Sequence, residues 1–258
     1  MQAAASFLER EMFKPCAVIP VYNHEKTVGA VMDAVLGQGL PCIVVDDGSS
    51  EQCGEFIDAL VAERTGRVAL IRHTINRGKG AAVLTGIRHA AATGHSHVLQ
   101  IDADGQHSVD DIPRFLERAA AYPNALIVGC PTYDEKAPLL RLYARYLTHV
   151  WVSINTLSLQ IKDSMCGFRV YPLPPLIALD RRKKLGSRMS FDIEVLVRLY
   201  WDGVQIVNVP TPVTYNRDAI SHFRGFLDNA LISRAHATLF FGMLLRLPML
   251  ITRRRSAL

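Results

Sequence analysis

Two aspartates one residue apart, Asp102 and Asp104, end an apolar run at Leu99-Gln100-Ile101 and are followed by Gly105, Gln106 and His107. A strand sends alternate side chains to the same face. If extension persists, both carboxylates therefore point one way, and Gln106 follows where the chain turns at Gly105. Three hard oxygen donors on one side suit Mg2+ or Mn2+, which keep some water and take further oxygens from substrate phosphates. Asp and Gly are equally at home in an ordinary strand-end turn, so a metal-diphosphate site and a plain turn both fit this stretch.

The elements that must position these residues are legible in the apolar pattern. Cys16 to Tyr22 reads as a buried strand, and Val28, Val31, Met32 and Val35 follow at helical spacing up to Gly37 and Gly39. Pro41 to Val45 is a second continuous apolar strand running into Asp46-Asp47-Gly48-Ser49-Ser50, where either serine suits the cap of a helix from about Glu51. Val68 to Ile71 is a third strand, followed by Asn76-Arg77-Gly78-Lys79-Gly80 and a helix over Ala81 to Ala92. His97 to Ile101, a helix over Val109 to Ala121 and a strand over Ala125 to Gly129 continue the alternation. Repeated strand-helix units with apolar strands predict an α/β fold built on a mostly parallel sheet, with ligands at the carboxyl ends of the strands.

That rule gathers Asn23, Glu25, Asp46, Asp47, Arg77, Lys79, Asp102, Asp104 and Gln106 on one rim, although loops are polar in any case. The Arg77-Gly78-Lys79-Gly80 loop lacks the G-x-x-x-x-G-K-[ST] spacing of a P-loop. Its glycines allow either close approach to a ligand, with Lys79 or Arg77 near phosphate, or a tight turn into the next helix.

After Pro138 the pattern changes to a long amphipathic run, Leu139 to Leu159, carrying Arg141, Tyr143, Arg145 and His149. Asp163 to Tyr171, a Pro-rich bend at 172–175, a helix from Phe191 to Arg198 and a strand from Val204 to Pro210 follow. Asp192 and Glu194 fit either a general base or a solvated helix face.

The chain has 258 residues, 49% of them hydrophobic, which is enough for a packed core and excludes wholesale disorder. Five cysteines, odd in number and without a C-x-x-C pair, argue against a disulfide framework or a zinc knuckle and fit a reducing cytosolic setting. Residues 1–14 carry Glu9, Arg10 and Glu11 where a secretory signal has a continuous apolar core, so export by that route is not expected.

The net charge of +5 is concentrated at one end: seven arginines and two aspartates lie between Arg217 and Leu258, and the rest of the chain is neutral. These arginines alternate with Leu, Phe and Met instead of forming a polar basic face, which points to a membrane surface and not to nucleic acid. The apolar helix expected over Phe226 to Ile251 is interrupted by Arg234, His236, Arg246 and Pro248. Its longest uncharged run falls well short of the roughly 20 residues that span a bilayer, so it lies on the membrane or in the core.

Pro20-Val-Tyr-Asn23, Val45-Asp-Asp-Gly-Ser49, Asn76-x-Gly-x-Gly80 and Asp102-Ala-Asp104-Gly-Gln106, in this order, resemble the family 2 glycosyltransferases, most of all the dolichol- or polyprenyl-phosphate mannosyl- and glucosyltransferase branch. The resemblance runs from about residue 14 to about residue 225. It implies a GT-A fold, a nucleotide-sugar donor, a divalent metal (Mg2+ or Mn2+) and inversion at the anomeric carbon. Pro20, Tyr22, Glu25 and Asp46 are similar to the family's nucleoside-binding set, and Asp102 and Asp104 to its diphosphate-metal set; Lys79, from its glycine loop, is a further donor-binding candidate. Gln106 resembles an added metal ligand, and His222, in a Ser-His-Phe-Arg element at 221–224 that differs from the branch's usual basic segment, is a candidate either to join the metal or to contact the diphosphate. Asp163-x-x-x-Gly-Phe-Arg169 resembles the acceptor motif, placing Arg169, with Arg145, near an acceptor phosphate. Met165-Cys166 stand where the family usually has two small hydroxyl residues.

The expectation is a peripheral enzyme of the cytoplasmic membrane face. Residues 1–225 form its glycosyltransferase domain, with the donor half over about 14–131 and the acceptor half over about 132–225. Residues 226–258 form a membrane-associating amphipathic helix with a basic tail. Transfer to polyprenyl phosphate, which is already ionised, needs no base. Transfer to a glycolipid or acyl-lipid hydroxyl needs one, for which Asp192 or Glu194 is the candidate, whereas Asp104 is catalytic through the diphosphate-metal clamp. A non-catalytic nucleotide-sugar-binding protein is the reading from another class.

Overall fold

The structure, a computed structural model, describes residues 13–133, 139–214 and 224–255. Its first half is the expected alternation: β1 (Pro15–Val21), α1 (Glu25–Gly37), β2 (Cys42–Asp46), α2 (Glu51–Ala62), β3 (Val68–Arg72), α3 (Lys79–Ala92) and β4 (His97–Gln100). A 3-10 turn, Val109–Asp111, precedes α4 (Ile112–Ala121), so the helix expected from Val109 starts three residues later, with Pro113 in its first turn. Ser50 is the cap of α2, its side chain accepting from the Cys53 N–H.

The second half comprises β5 (Leu126–Tyr133), α5 (Leu139–Thr156), β6 (Arg169–Pro172), α6 (Leu173–Arg182), α7 (Phe191–Trp201), β7 (Ile206–Val213), α8 (Gly225–Leu244) and α9 (Leu247–Arg255). The seven strands form one sheet in the order β3-β2-β1-β4-β6-β5-β7. β3, β2, β1 and β4 are parallel neighbours, β6 runs antiparallel between β4 and β5, and β5 pairs parallel with β7.

Alternation along the buried strands divides the core into two layers. Cys16 and Val18 face α3, α6 and α7, whereas Ala17, Ile19 and Val21 face α1, α2 and α4. Strand order reverses at β1, which lies between β2 and β4. The crevice outside the carboxyl ends of these strands is where an open α/β sheet receives its ligands.

The single apolar helix expected over Phe226 to Ile251 is two helices, bent by 78° at the break. Among the described residues no single helix is long and apolar enough to cross a membrane, although the bent pair together has the length and composition of a broken span. One face of α8 belongs to the core, with Ile232, Ala235, His236, Leu239 and Met243 buried. Its other face leaves Phe226, Leu227, Phe241 and Leu244 exposed, and α5 adds exposed Tyr143, Tyr146, Leu147, Val150, Trp151 and Ile154.

Candidate active site

Two cavities open at the carboxyl ends of the parallel strands. The first, of about 340 Å³, lies beyond β2 and β3 and is lined by Asp46, Gly48, Ser49, Ser50, Arg72 and His73 among others. Asp46 is buried; its Oδ1 accepts from the Ser49 N–H at 3.0 Å and its Oδ2 from Arg72 Nε at 2.7 Å. Arg72 also reaches Asp58 on α2. Pro20, Tyr22 and Glu25, expected with Asp46, stand at the end of β1 and the start of α1 without lining this cavity. The two strand-end loops are joined directly: Asn23 donates its N–H to Ser49 Oγ at 3.0 Å and accepts from the Ser50 N–H at 2.8 Å.

The second cavity, of about 100 Å³, lies beyond β4 and is lined by Asp102, Asp104, Gln106, His107, Arg145 and Cys166 among others. β4 ends at Gln100, so it is a turn and not continued extension that brings Asp102, Asp104 and Gln106 to one side. Ala103 is buried between the aspartates, its carbonyl accepting from Thr27 Oγ1 at 2.5 Å. Gly105 takes the left-handed φ of 70° that the turn needs, and Asp104 Oδ1 accepts from the Gln106 N–H at 3.0 Å.

Asp102 is the most constrained of these groups. Its Oδ2 accepts from Lys79 Nζ at 2.8 Å, and His107 Nε2 lies 3.7 Å from the same oxygen. Lys79 also reaches Asp192 Oδ2 at 3.1 Å. Burial works against the charge on Asp102, but Lys79 and His107 outweigh it and hold the carboxyl well below its usual range. Burial likewise disfavours the Lys79 ammonium, and the two carboxylates more than restore it.

Lys79, expected at a donor phosphate, is therefore engaged in bridging two aspartates. Asp192 is buried behind it, with Gln100 Nε2 at 3.4 Å from its Oδ1. Glu194 lies on the Gly186 and Arg198 side of α7, where burial raises its pKa. Neither Asp192 nor Glu194 lines the second cavity, so the expectation of a base there does not match their placement.

Arg169 is a further correction. It is fully buried in β6, its guanidinium donating to the carbonyls of Cys166 at 2.7 Å, Asp192 at 2.7 Å and Ser164 at 2.8 Å. A side chain committed in this way shapes the loop before β6 and does not face an acceptor. Arg145, in contrast, lines the cavity and grips Asp163 through Nε and Nη2 at 2.6 and 2.8 Å. Asp163 Oδ1 also accepts from the N–H groups of Met165 and Cys166, which places these residues at the cavity wall. His222 lies outside the described residues.

The donors present suit a divalent cation. Asp102 Oδ1 is buried without a hydrogen-bond partner, and Asp104 lines the same cavity. Among the described residues no three His, Cys, Asp or Glu side chains converge as a complete cage. Two carboxylates fit an ion such as Mg2+ that takes its other oxygens from water and a bound diphosphate.

Two groups carry more of the site than the sequence suggested. Asp47 accepts from the N–H groups of Arg77 at 2.9 Å and Gly78 at 2.7 Å, with His73 Nδ1 2.6 Å away, and so anchors the loop that carries Lys79. His107 faces Asp102 from five residues downstream, a spacing visible in the sequence but without meaning until the turn was known.

The sequence matches the profile described as Glycosyl transferase family 2 over residues 16–170. The chain belongs to this family. Members similar to it include an undecaprenyl-phosphate mannosyltransferase of Micrococcus luteus, 28% identical over 75% of this chain and 80% of that one. A polyprenol monophosphomannose synthase of Mycolicibacterium smegmatis is 27% identical over 81% and 80% respectively. Among solved structures, glucosyl-3-phosphoglycerate synthase of Mycobacterium tuberculosis, in complex with Mn2+, uridine diphosphate and phosphoglyceric acid, superposes with a TM-score of 0.67 over 93% of this chain and 81% of that one, at 18% identity. The sheet described above is the GT-A fold of family 2, and this member is a glycosyltransferase.

Proposed function

We propose that the protein transfers a sugar, with inversion, from a nucleotide-sugar donor to a membrane lipid acceptor, the acceptor being a polyprenyl phosphate. The observation that carries this reading is the second cavity, where Asp102 and Asp104 meet Arg145. Carboxylates and a guanidinium on one small cavity suit two phosphate-bearing partners, one through a cation and one directly. An acceptor phosphate oxygen forms a bond to the anomeric carbon while the bond from that carbon to the diphosphate breaks, and the nucleoside diphosphate leaves with the electron pair. Mg2+ or Mn2+ held by Asp102 and Asp104 would supply charge neutralisation for the departing diphosphate.

An ionised phosphate needs no general base, which agrees with Asp192 and Glu194 standing away from the cavity. The first cavity, with Asp46 at its wall, is the proposed nucleoside side. The two named relatives act, by their names, on polyprenyl-type phosphates. The exposed apolar faces of α5 and α8, together with the basic tail, support attachment to the cytoplasmic face of a membrane.

Purified protein with Mn2+ and a panel of nucleotide sugars, assayed with polyprenyl phosphate and with neutral glycolipid, tests the reading. Product is expected only with the phosphate. In Asp104→Asn, turnover is expected to fall at least about a hundredfold with an unchanged melting temperature, because a rim carboxylate carries little core packing. Glycosylation of the neutral lipid alone would overturn the choice of acceptor, and full activity of Asp104→Asn would overturn the metal site.

A further inference from the structure

Asp228, in the first turn of α8, is fully buried, yet it lines neither cavity. Its Oδ1 accepts from Arg188 Nε at 3.0 Å and its Oδ2 from the Arg224 N–H at 2.7 Å. Arg188 continues toward the site, with Nη1 3.4 Å from Asn76 Oδ1. The residues around Arg188 press on the loop that carries Lys79. Ser187 O accepts from the Ala81 N–H at 2.9 Å. A methyl group at Gly78 would come within 2.5 Å of Ser187 O and 2.7 Å of Arg188 Cγ, and one at Gly80 within 2.6 Å of Gly186 O. Backbone thus meets backbone on both sides of Lys79, with no room for a single added carbon.

The same loop is held from its other side by Asp47, which takes the N–H groups of Arg77 and Gly78. Between these two supports Lys79 spans to Asp102 and Asp192. A long flexible amine places a carboxylate accurately only if its own backbone is fixed, because each free rotamer costs entropy.

We propose that Asp228 and Arg188 are positioning residues: their half-buried ion pair clamps residues 186–188 onto the 76–81 loop and so fixes Lys79 on Asp102. The C-terminal helix then becomes part of the catalytic scaffold, and whatever displaces the start of α8 is felt at the diphosphate side of the site.

Hydrogen exchange on the full chain tests this without any ligand. Asp228→Asn and Arg188→Gln are each expected to speed exchange of the Arg77, Gly78 and Ala81 amides about tenfold, leave the β1 amides unchanged, and add nothing further when combined. If Asp228→Asn does not fold, Arg188→Gln carries the test, since its side chain is already partly exposed. A kinetic arm rests on the transfer reading above. With GDP-mannose and UDP-glucose as probes in Mn2+, kcat is expected to fall about tenfold while the donor KM changes less than threefold, and Arg188→Lys to restore part of kcat. Faster exchange confined to α8, or spread evenly over the chain, would overturn the proposal. A wild-type protein inert toward both donors would count against the transfer reading alone, and the exchange result would still decide the clamp.

Discussion

Lys79 and Asp102 form an ion pair of 2.8 Å between the start of α3 and the turn after β4, and Asp192 closes the arrangement from α7 at 3.1 Å. The amine neutralises one carboxylate at the cavity wall and one behind it. Removing it in Lys79→Met leaves Asp102 with only His107, 3.7 Å away, and the buried Asp192 with only Arg169, 3.8 Å away, as opposite charges. A broken buried pair costs about 3 kcal/mol or more, which corresponds to a melting temperature lower by roughly 6–12 °C for a chain of this size. Because Lys79 holds the Asp102 pKa down, the stability it lends is full above the usual carboxylate range and is lost as pH falls through the lowered pKa. Scanning calorimetry at pH 7 and pH 4 is expected to show the gap between wild type and variant narrowing at the lower pH, where Asp102, deprived of the amine, takes up a proton.

The two arginines of the acceptor half are expected to behave differently. Arg169→Lys gives up most of a fork that satisfies three buried carbonyls, each charged hydrogen bond being worth about 1.5–3 kcal/mol. Denaturant unfolding is expected to show lost stability, with donor and acceptor parameters affected alike. Arg145→Lys, at the cavity, is expected to raise the KM for polyprenyl phosphate about ten- to hundredfold with donor KM nearly unchanged, and to lower the unfolding midpoint by less than Arg169→Lys does, since one of its two bonds to Asp163 is lost. Equal effects of both variants on acceptor KM would count against assigning the acceptor phosphate to Arg145.

Gly167 lies directly against the aspartate. A methyl group there would overlap Asp102 Oδ2 and come within 2.6 Å of its Cγ. Gly167→Ala is expected to push the carboxylate off Lys79, lowering turnover by at least about tenfold while circular dichroism stays native. Unchanged turnover would mean that the loop before β6 yields more easily than its hydrogen bonds indicate.

His236 makes a prediction about acid stability. It is buried between α8 and α5, with Asn155 Nδ2 3.4 Å from its Nδ1 and Trp151 alongside, and burial lowers its pKa from 6.5 to about 4. The folded protein keeps the ring neutral while the unfolded chain protonates first, so stability is full above about 6.5 and declines as pH falls toward about 4. In His236→Gln the melting temperature is expected to vary less over this window. An equally steep decline in the variant would shift the cause to other groups.

The sequence alone determined the layout of the first half. Continuous apolar runs such as Cys42 to Val45, each followed by amphipathic helical spacing, have few ways to bury themselves other than as strands covered by helices. The ordered motifs also placed Asp102, Asp104 and Gln106 at a strand end, where the second cavity lies. These are local properties: periodicity, caps and turn residues act within a few positions of one another.

Contacts distant in sequence were decided only by the tertiary structure. β6 is four residues long and contains an arginine, so nothing in its pattern marks it as a strand; its place is set by Gln100 pairing with Arg169 across the sheet. The sequence showed Arg169, Lys79 and Asp192 as charged residues but not what they meet. Inside the fold each was claimed by a protein partner, because a buried charge must be compensated by whatever lies within hydrogen-bond reach. α8 likewise divides into a core face and an exposed face because α5 and α7 cover one side of it, a division that depends on helices brought together from far along the chain.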